Sequence, residues 1–454
     1  MTVSKDNNDM EVDTINNNNN NMEIDEVIPE DILEGFEFRN FADNMRVYYQ
    51  KLFPHQLMFQ WLNYSNTTPT ANFTSREFSF TLEDDIYIRY QSFDNVTQFK
   101  QKLTQLNPIK IDIGSIYTQP PKLKNTMRPA AFQPTEKELV FDIDLTDYDE
   151  IRTCCSEANI CSKCWKFMQV AINIIYDVLK EDFAFEHVLV VYSGRRGIHI
   201  WVCDERARKL NNDQRRSIVN YIDIIKGGVN QGRKVNLSHH LHPSLKRLTD
   251  LIENKFIEIA LEDQDILGDV SKSKQVFEFF PESVLSQSDR QTLIDEWSSR
   301  NSSSEDRWNE LTQLILANSK KIKGKSTAIF NNSIRDFKFQ HIYPRLDVNV
   351  STHLNHLLKA PFCVHPKTER VCIPISPENF NEFDPEEAPK LQALINQIHH
   401  TETKKRRLNP DENEQQPVKL AWTQTDLAGY IKYFKEFVEK VNVKIQKEQV
   451  SMEF

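Results

Sequence analysis

The chain has 454 residues, 39% of them hydrophobic, and a formal net charge of −10; that length supports about three domains with substantial cores. No stretch approaches the roughly 18–20 apolar residues of a membrane span, and the N-terminus lacks the basic start and apolar run of a signal peptide. A soluble intracellular protein is therefore expected, in which the seven cysteines stay reduced as metal ligands or buried thiols.

The acidity is unevenly spread. Residues 1–34 hold ten Asp/Glu against Lys5 alone, and with the unbroken run Asn16 to Asn21 they read as a disordered acidic tail. Helical periodicity follows over 41–62, with Phe41, Met45, Tyr48, Tyr49, Leu52 and Phe53 on one stripe. Residues 76–82 and 86–90 alternate about the turn Glu83-Asp84-Asp85, a hairpin. Residues 138–145 read as a strand, and 164–183 as a helix burying Phe167, Ala171, Ile174, Ile175 and Val178. A second hairpin pairs 187–192 with 198–203. Residues 213–325 read as a helical insertion, and extended patterning returns at 343–350 and 370–375. Residues 400–418 have the composition of a disordered linker, and an amphipathic helix occupies about 423–447 of the terminal segment 419–454. The fold class expected is α+β: a discontinuous domain of 35–212 and 326–399, with a mixed sheet flanked by helices. Residues 192–247 carry twelve Lys/Arg against four Asp/Glu, so the overall charge does not exclude a nucleic-acid partner.

The chemistry concentrates in four places. Asp142 and Asp144 sit two apart in the apolar run 138–145, and a strand rising about 3.3 Å per residue puts both carboxylates on one face, about 6.6 Å apart. That suits two Mg²⁺ or Mn²⁺ ions about 3.5–4 Å apart, the arrangement for phosphoryl or nucleotidyl transfer; it also fits an amphipathic strand with a solvated acidic face. The turn Ser193-Gly194-Arg195-Arg196-Gly197, followed by Ile198-His199, offers close backbone approach and bidentate donors for phosphate, and equally fits a surface hairpin. Asp347 repeats the single acid in an apolar strand pattern, and His356, Lys359 and His365 suit phosphate or sugar contacts. Cys154, Cys155, Cys161 and Cys164 supply enough thiolates for a tetrahedral Zn²⁺ site. Cys203, Cys363 and Cys372 read as buried thiols. Residues 227–232 carry the two glycines of a phosphate loop but lack its Lys-Ser/Thr ending.

Several segments in order resemble the catalytic small subunit of eukaryotic DNA primase, in the archaeo-eukaryotic primase family, from about Leu33 to the end of the chain. They are Arg76-Glu-Phe-Ser-Phe-Thr-Leu82, Asp85-Ile-Tyr-Ile-Arg-Tyr90, Ile111-Asp-Ile-Gly114, the 138–144 strand, the Cys154–Cys164 cluster, Tyr192-Ser-Gly-Arg-Arg-Gly197 and Pro344-Arg-Leu-Asp347. One departure is Glu369, where the family pattern is expected to carry glycine. The resemblance implies a primase-type catalytic domain with Asp142, Asp144 and Asp347 as the two-metal triad. It implies Glu77 as a further catalytic acid near the incoming nucleotide, and Asp112 as a reader of the ribose hydroxyls. Ser193, Gly194, Arg195, Arg196, Gly197, Ile198, His199, His356, Leu357, Leu358, Lys359 and His365 would bind the nucleotide. It further implies structural zinc on the four cysteines, and a nuclear enzyme making short RNA primers on single-stranded DNA from ribonucleoside triphosphates. The expected partners are the primase large subunit and the DNA polymerase α complex.

Overall fold

Two antiparallel sheets carry the site, seen in a computed structural model that describes residues 40–65, 68–227, 231–321, 328–408 and 420–452. The acidic tail expected at 1–34 lies outside the described residues. The first sheet runs β2 (Tyr87–Gln91), β1 (Arg76–Thr81), β3 (Lys110–Tyr117), β4 (Pro134–Glu136), with β8 (Leu358–Lys359) also on β3. The second runs β5 (Leu139–Asp144), β7 (Gly197–Val202), β6 (Val188–Tyr192), β9 (Pro374–Ile375). Both expected hairpins form, and the α+β class stands. The strand pairings are all antiparallel among the described residues, so two antiparallel sheets replace the single mixed sheet expected. The cause is the path after β5: helix Ser162–Glu181 carries the chain across to β6, one place too far to pair with β5, and β7 returns by a hairpin into the gap.

That helix buries the face read from its periodicity, Phe167, Ala171, Ile174, Ile175 and Val178, against β6 and β7. The helical span expected at 41–62 is two helices, Phe41–Lys51 and His55–Asn63, because Pro54 cannot continue the first. Most described residues of 213–325 are helical, with 223–227 and 231–242 outside any helix, and helix Ala328–Ile342 follows, whose Phe337 stacks on Trp308 at 5.1 Å and Phe280 at 5.4 Å. Residues 400–408, expected in a linker, extend helix Leu391–Leu408. Residues 409–419 are outside the description. The terminal helix is Ala428–Met452.

The extended pattern at 343–350 is not a strand. Residues Val348–Thr352 form a short helix whose N-cap is Asp347, its carboxylate accepting from Asn349 N at 3.0 Å. β-branched Val348 and Val350 imitate strand composition, but Asp is a strong N-cap and takes the chain into a turn. At Glu369 the backbone is left-handed, φ +57°, the conformation that glycine adopts without cost.

Gly197 is required by close approach: a Cβ there would lie 2.4 Å from the Ile143 carbonyl oxygen and 3.3 Å from Asp144 Cα. Gly197→Ala should force β5 and β7 apart at the acidic end and cost about 1–3 kcal/mol, as overpacking does. A urea midpoint equal to wild type would show that the strands have slack there.

Candidate active site

Pairing between β5 and β7 places Asp142 opposite His199 and Asp144 opposite Gly197. Leu139, Val140, Phe141 and Ile143 are fully buried, while the two aspartates keep 30% and 35% of their side-chain surface. Asp347 arrives from the other half of the chain through a backbone bond, its N–H donating to the Asp142 carbonyl at 3.1 Å. The three carboxylates thereby border one cavity of about 470 Å³.

Cations line the same cavity. β8 sets Lys359 opposite Asp112, and its Nζ donates to the Ser193 carbonyl at 2.7 Å. The Ser193 hydroxyl accepts from Gly197 N at 3.1 Å and Thr368 Oγ1 donates to the Gly194 carbonyl at 2.6 Å, so the turn is held from both sides. Gly194 has φ +87° and no room for a Cβ, which would lie 2.8 Å from His365 Cβ. Arg195 faces the cavity, and Arg196 Nε donates to both oxygens of Asp144 at 2.7 and 2.8 Å. Burial first, then Lys359, Arg195, Lys367 and Arg196, push His365 down to about 3. His199 is likewise pushed to about 3 by burial, Lys359 and Lys110. Both imidazoles are neutral at pH 7 and sit in a field that an anion would neutralise.

The acids show the opposite stress. Asp142 is pushed up to about 7 by burial, then by Asp144 and Asp347, with Lys359 pulling the other way. Asp147 is raised by burial and by the same two carboxylates. A concave group of carboxylates that resist shared ionisation is a fit for cations.

A second cluster forms from the loop after β5 and the start of helix Ser162–Glu181, where Cys161 is the N-cap and Cys164 stands in the first turn. The sulfurs of Cys154, Cys155, Cys161 and Cys164 lie within 4.8 Å of one another, with Cys161 and Cys164 Sγ 3.9 Å apart. A tetrahedral ion with sulfur at about 2.3 Å needs sulfurs about 3.8 Å apart, so the residues present fit a metal ion. Arg152, nearly fully buried, has Nη1 3.8 Å from Cys164 Sγ, and Gln264 Nε2 is 3.5 Å from Cys154 Sγ. Cys203, Cys363 and Cys372 are buried thiols.

The family profile described as DNA primase small subunit matches residues 141–377. The chain is 40% identical over 378 residues to the DNA primase small subunit of Schizosaccharomyces pombe, covering 82% of each. Against that of Drosophila melanogaster it is 37% identical over 407 residues, 88% of this chain and 91% of the relative. The chain belongs to the DNA primase small-subunit family. The match with the family profile includes the three acids, the basic turn, Lys359, His365 and the four cysteines; Glu77 precedes it.

Of the residues expected in the primase site, Ser193, Arg195, Arg196, His199, His356, Leu357, Leu358, Lys359 and His365 line the cavity with the three acids and Asp112. Gly194, Gly197 and Ile198 shape it without lining it. Glu77 does not join them. It is fully buried on β1 and accepts from Arg89 Nε at 2.9 Å and Tyr117 OH at 3.0 Å. Gly114 lies between it and the cavity, a Cβ there meeting Leu357 Cδ2 at 2.6 Å and Glu77 Cβ at 3.1 Å. Sequence reasoning missed Lys110, which lines the cavity and pairs with Asp112 at 3.1 Å; the alternation of 110–117 was the available signal. It also missed Lys137, fully buried, whose Nζ donates to the His356 carbonyl at 2.6 Å. Adjacency to the aspartate strand was its only sequence signal.

Because Asp142 titrates near 7 when folded against an ordinary 3.8, the folded state binds the extra proton between those values. Without divalent ions, stability from this group should fall as pH rises through that window and stay low above it. Asp142→Asn removes the dependence. The melting temperature of the variant minus that of wild type, in divalent-free buffer, should grow from pH 5 to pH 8; a constant difference would show that Asp142 titrates normally.

Proposed function

We propose that this chain is the catalytic subunit of a DNA primase, making short RNA primers on single-stranded DNA from ribonucleoside triphosphates to initiate replication. The observation that carries this reading is one cavity lined by the carboxylates of Asp142, Asp144 and Asp347 together with Lys359, Arg195 and Arg196. Nucleotidyl transfer needs both: cations to hold the triphosphate, and acids to hold ions near the reacting oxygens. The primer 3′-hydroxyl oxygen bonds to the α-phosphorus, the bond to pyrophosphate breaks, and the hydroxyl proton leaves to solvent. Mg²⁺ or Mn²⁺ bound by Asp142, Asp144 and Asp347 would supply charge stabilisation at that centre. Ser193, Arg195, Arg196 and Lys359 bind and orient the triphosphate; His199 and His365, neutral and packed beside them, donate or accept without adding charge.

On the same reading the cysteine cluster holds zinc in a closed, structural shell. The expected partners are the primase large subunit, in a heterodimer, and the DNA polymerase α complex, and the compartment is the nucleus; support comes from the yeast and animal relatives. No described helix is long and apolar enough to cross a membrane.

The test is labelled ribonucleotide incorporation on poly-dT, with and without the large subunit. Asp142→Ala and Asp347→Ala should each lower turnover by at least about 10²–10³-fold, the scale on which one positioned electrostatic group matters, with an unchanged circular dichroism spectrum. Near wild-type turnover in either variant would remove that carboxylate from the site.

Cys161→Ser should lose bound zinc, melting temperature and soluble yield more than activity per folded molecule. A variant fully stable but inactive, or active wild-type protein without zinc by elemental analysis, would contradict a structural role.

A further inference from the structure

A second and larger cavity, about 860 Å³, adjoins the acid site, and nothing described so far uses it. The two share a wall: His353, Leu354 and Asn355 line the large cleft, and the next residues, His356, Leu357 and Leu358, line the acid cavity. The volume falls inside the roughly 300–1,000 Å³ range of ligand sites.

The lining has the chemistry of an unpaired nucleic-acid strand. Tyr90, Tyr117 and Phe132 form its floor, Tyr117 and Phe132 stacked at 4.2 Å and 7°, with Tyr90 edge-on to both. Tyr90 is part-exposed and its backbone is left-handed, φ +59°. Lys124 Nζ rests 3.5 Å from its ring centroid, a cation over a π face that a base could replace while the ammonium moves to a phosphate. The segment 118–135 that forms this side carries Lys122, Lys124 and Arg128 and no acid at all. Asp213, also in the lining, is exposed and pairs with Arg216 at 2.9 Å. Asn211 and Asn355 add amides that can both donate and accept.

We infer that this cleft holds unpaired bases of the single-stranded DNA template beside the acid cavity, with Tyr90 as the stacking platform and Lys124 as a phosphate contact. The inference rests on the primase reading. Continuity of the wall selects the occupant. A template strand must pass the acids and continue beyond them, and its charge matches Lys124 in the lining, with Arg128 between the lining residues Met127 and Pro129 in the chain. Aromatic faces with neighbouring cations bind single strands without reading sequence, which a template site requires.

The test is fluorescence anisotropy of a labelled oligo-dT with the full chain, beside ribonucleotide KM on poly-dT. Tyr90→Leu should weaken oligo-dT binding about five- to tenfold, the low end of base–aromatic stacking; Tyr90→Phe should restore it. Lys124→Gln should reduce the slope of log affinity against log salt by about 0.7, one phosphate contact on a single strand. Ribonucleotide KM should stay within twofold in all three.

Wild-type affinity and salt slope in Tyr90→Leu and Lys124→Gln would overturn the inference. So would a raised ribonucleotide KM at unchanged oligo-dT affinity, which would give the cleft to the incoming nucleotide. Lost binding of the large subunit at unchanged oligo-dT affinity would make it a protein contact. Should Tyr90→Leu fail to fold, photocrosslinking of a 5-iodouracil oligonucleotide to wild type decides: adducts on Tyr90 or Phe132 are expected, and adducts only elsewhere refute the cleft. Primer synthesis by wild type on poly-dT, run in parallel, tests the primase reading separately.

Discussion

The pairing of β5 with β7 is the constraint on which the site depends. Asp142 and Asp144 face the cavity only because Leu139, Phe141 and Ile143 face the core, and a slip of one residue would exchange the two sets. The same register fixes what stands opposite: Val140 against Trp201, Asp142 against His199, Asp144 against Gly197. Because β7 starts at Gly197, the turn that joins it to β6 lies at the acidic end of β5, and this brings Arg195 and Arg196 to the aspartates. The third acid follows from the second link in the chain of contacts, Asp347 N–H to the Asp142 carbonyl. That bond joins two distant segments of the chain at the point where their charges meet.

Behind the acids, buried charge holds β5 against the first sheet. Arg76 and Glu138 meet at 2.8 Å with neither side chain exposed, and the Tyr64 hydroxyl also bonds Glu138. Burial alone would raise Glu138, but the charge and hydrogen bonds of Arg76 and the Tyr64 hydroxyl overcome it and hold the carboxyl down to about 2. Arg215 donates to the Glu138 carbonyl at 3.0 Å and also bonds the Lys137 carbonyl. Lys137, pushed down to about 7 by burial and then by Arg215, reaches the His356 carbonyl. A buried ion pair adds little net stability over well-packed apolar side chains. These groups instead fix position, because each holds its partners through directed hydrogen bonds. Strand β1, strand β5 and the 353–359 wall are thereby set relative to one another.

The legible parts of the sequence were those where a local rule and the tertiary fold agree. Alternation gave the face of Asp142 and Asp144, and the glycine spacing gave the basic turn, because a strand's period is the same wherever it is placed. Asp347 shows the limit. Its neighbours have strand composition, yet Asp347 caps a helix there, and nothing local shows that its N–H will donate to the distant Asp142 carbonyl. Lys137 was hidden for a related reason: a buried lysine is identified by what it reaches, and the carbonyl it meets belongs to His356, far along the chain. Glu77 carried a motif's signal, but the structure puts it in a closed network with Arg89 and Tyr117, one layer behind the cavity wall.

Charge in the cavity is balanced internally, and that sets how its ligands interact. Arg196, the guanidinium best placed for an anion, is occupied by Asp144, and Asp144 also accepts from Thr146 N and Oγ1, each at 2.8 Å. A triphosphate that draws Arg196 away leaves Asp144 with an uncompensated charge in a setting where Asp142 already resists ionisation. A divalent cation that takes Asp144 releases Arg196 for the anion. Each ligand removes the cost of binding the other, and linkage requires that this favour be equal in both directions. On the proposed reading, metal and nucleotide therefore enter as mutually reinforcing partners, and the Arg196–Asp144 pair keeps either one alone from being held tightly.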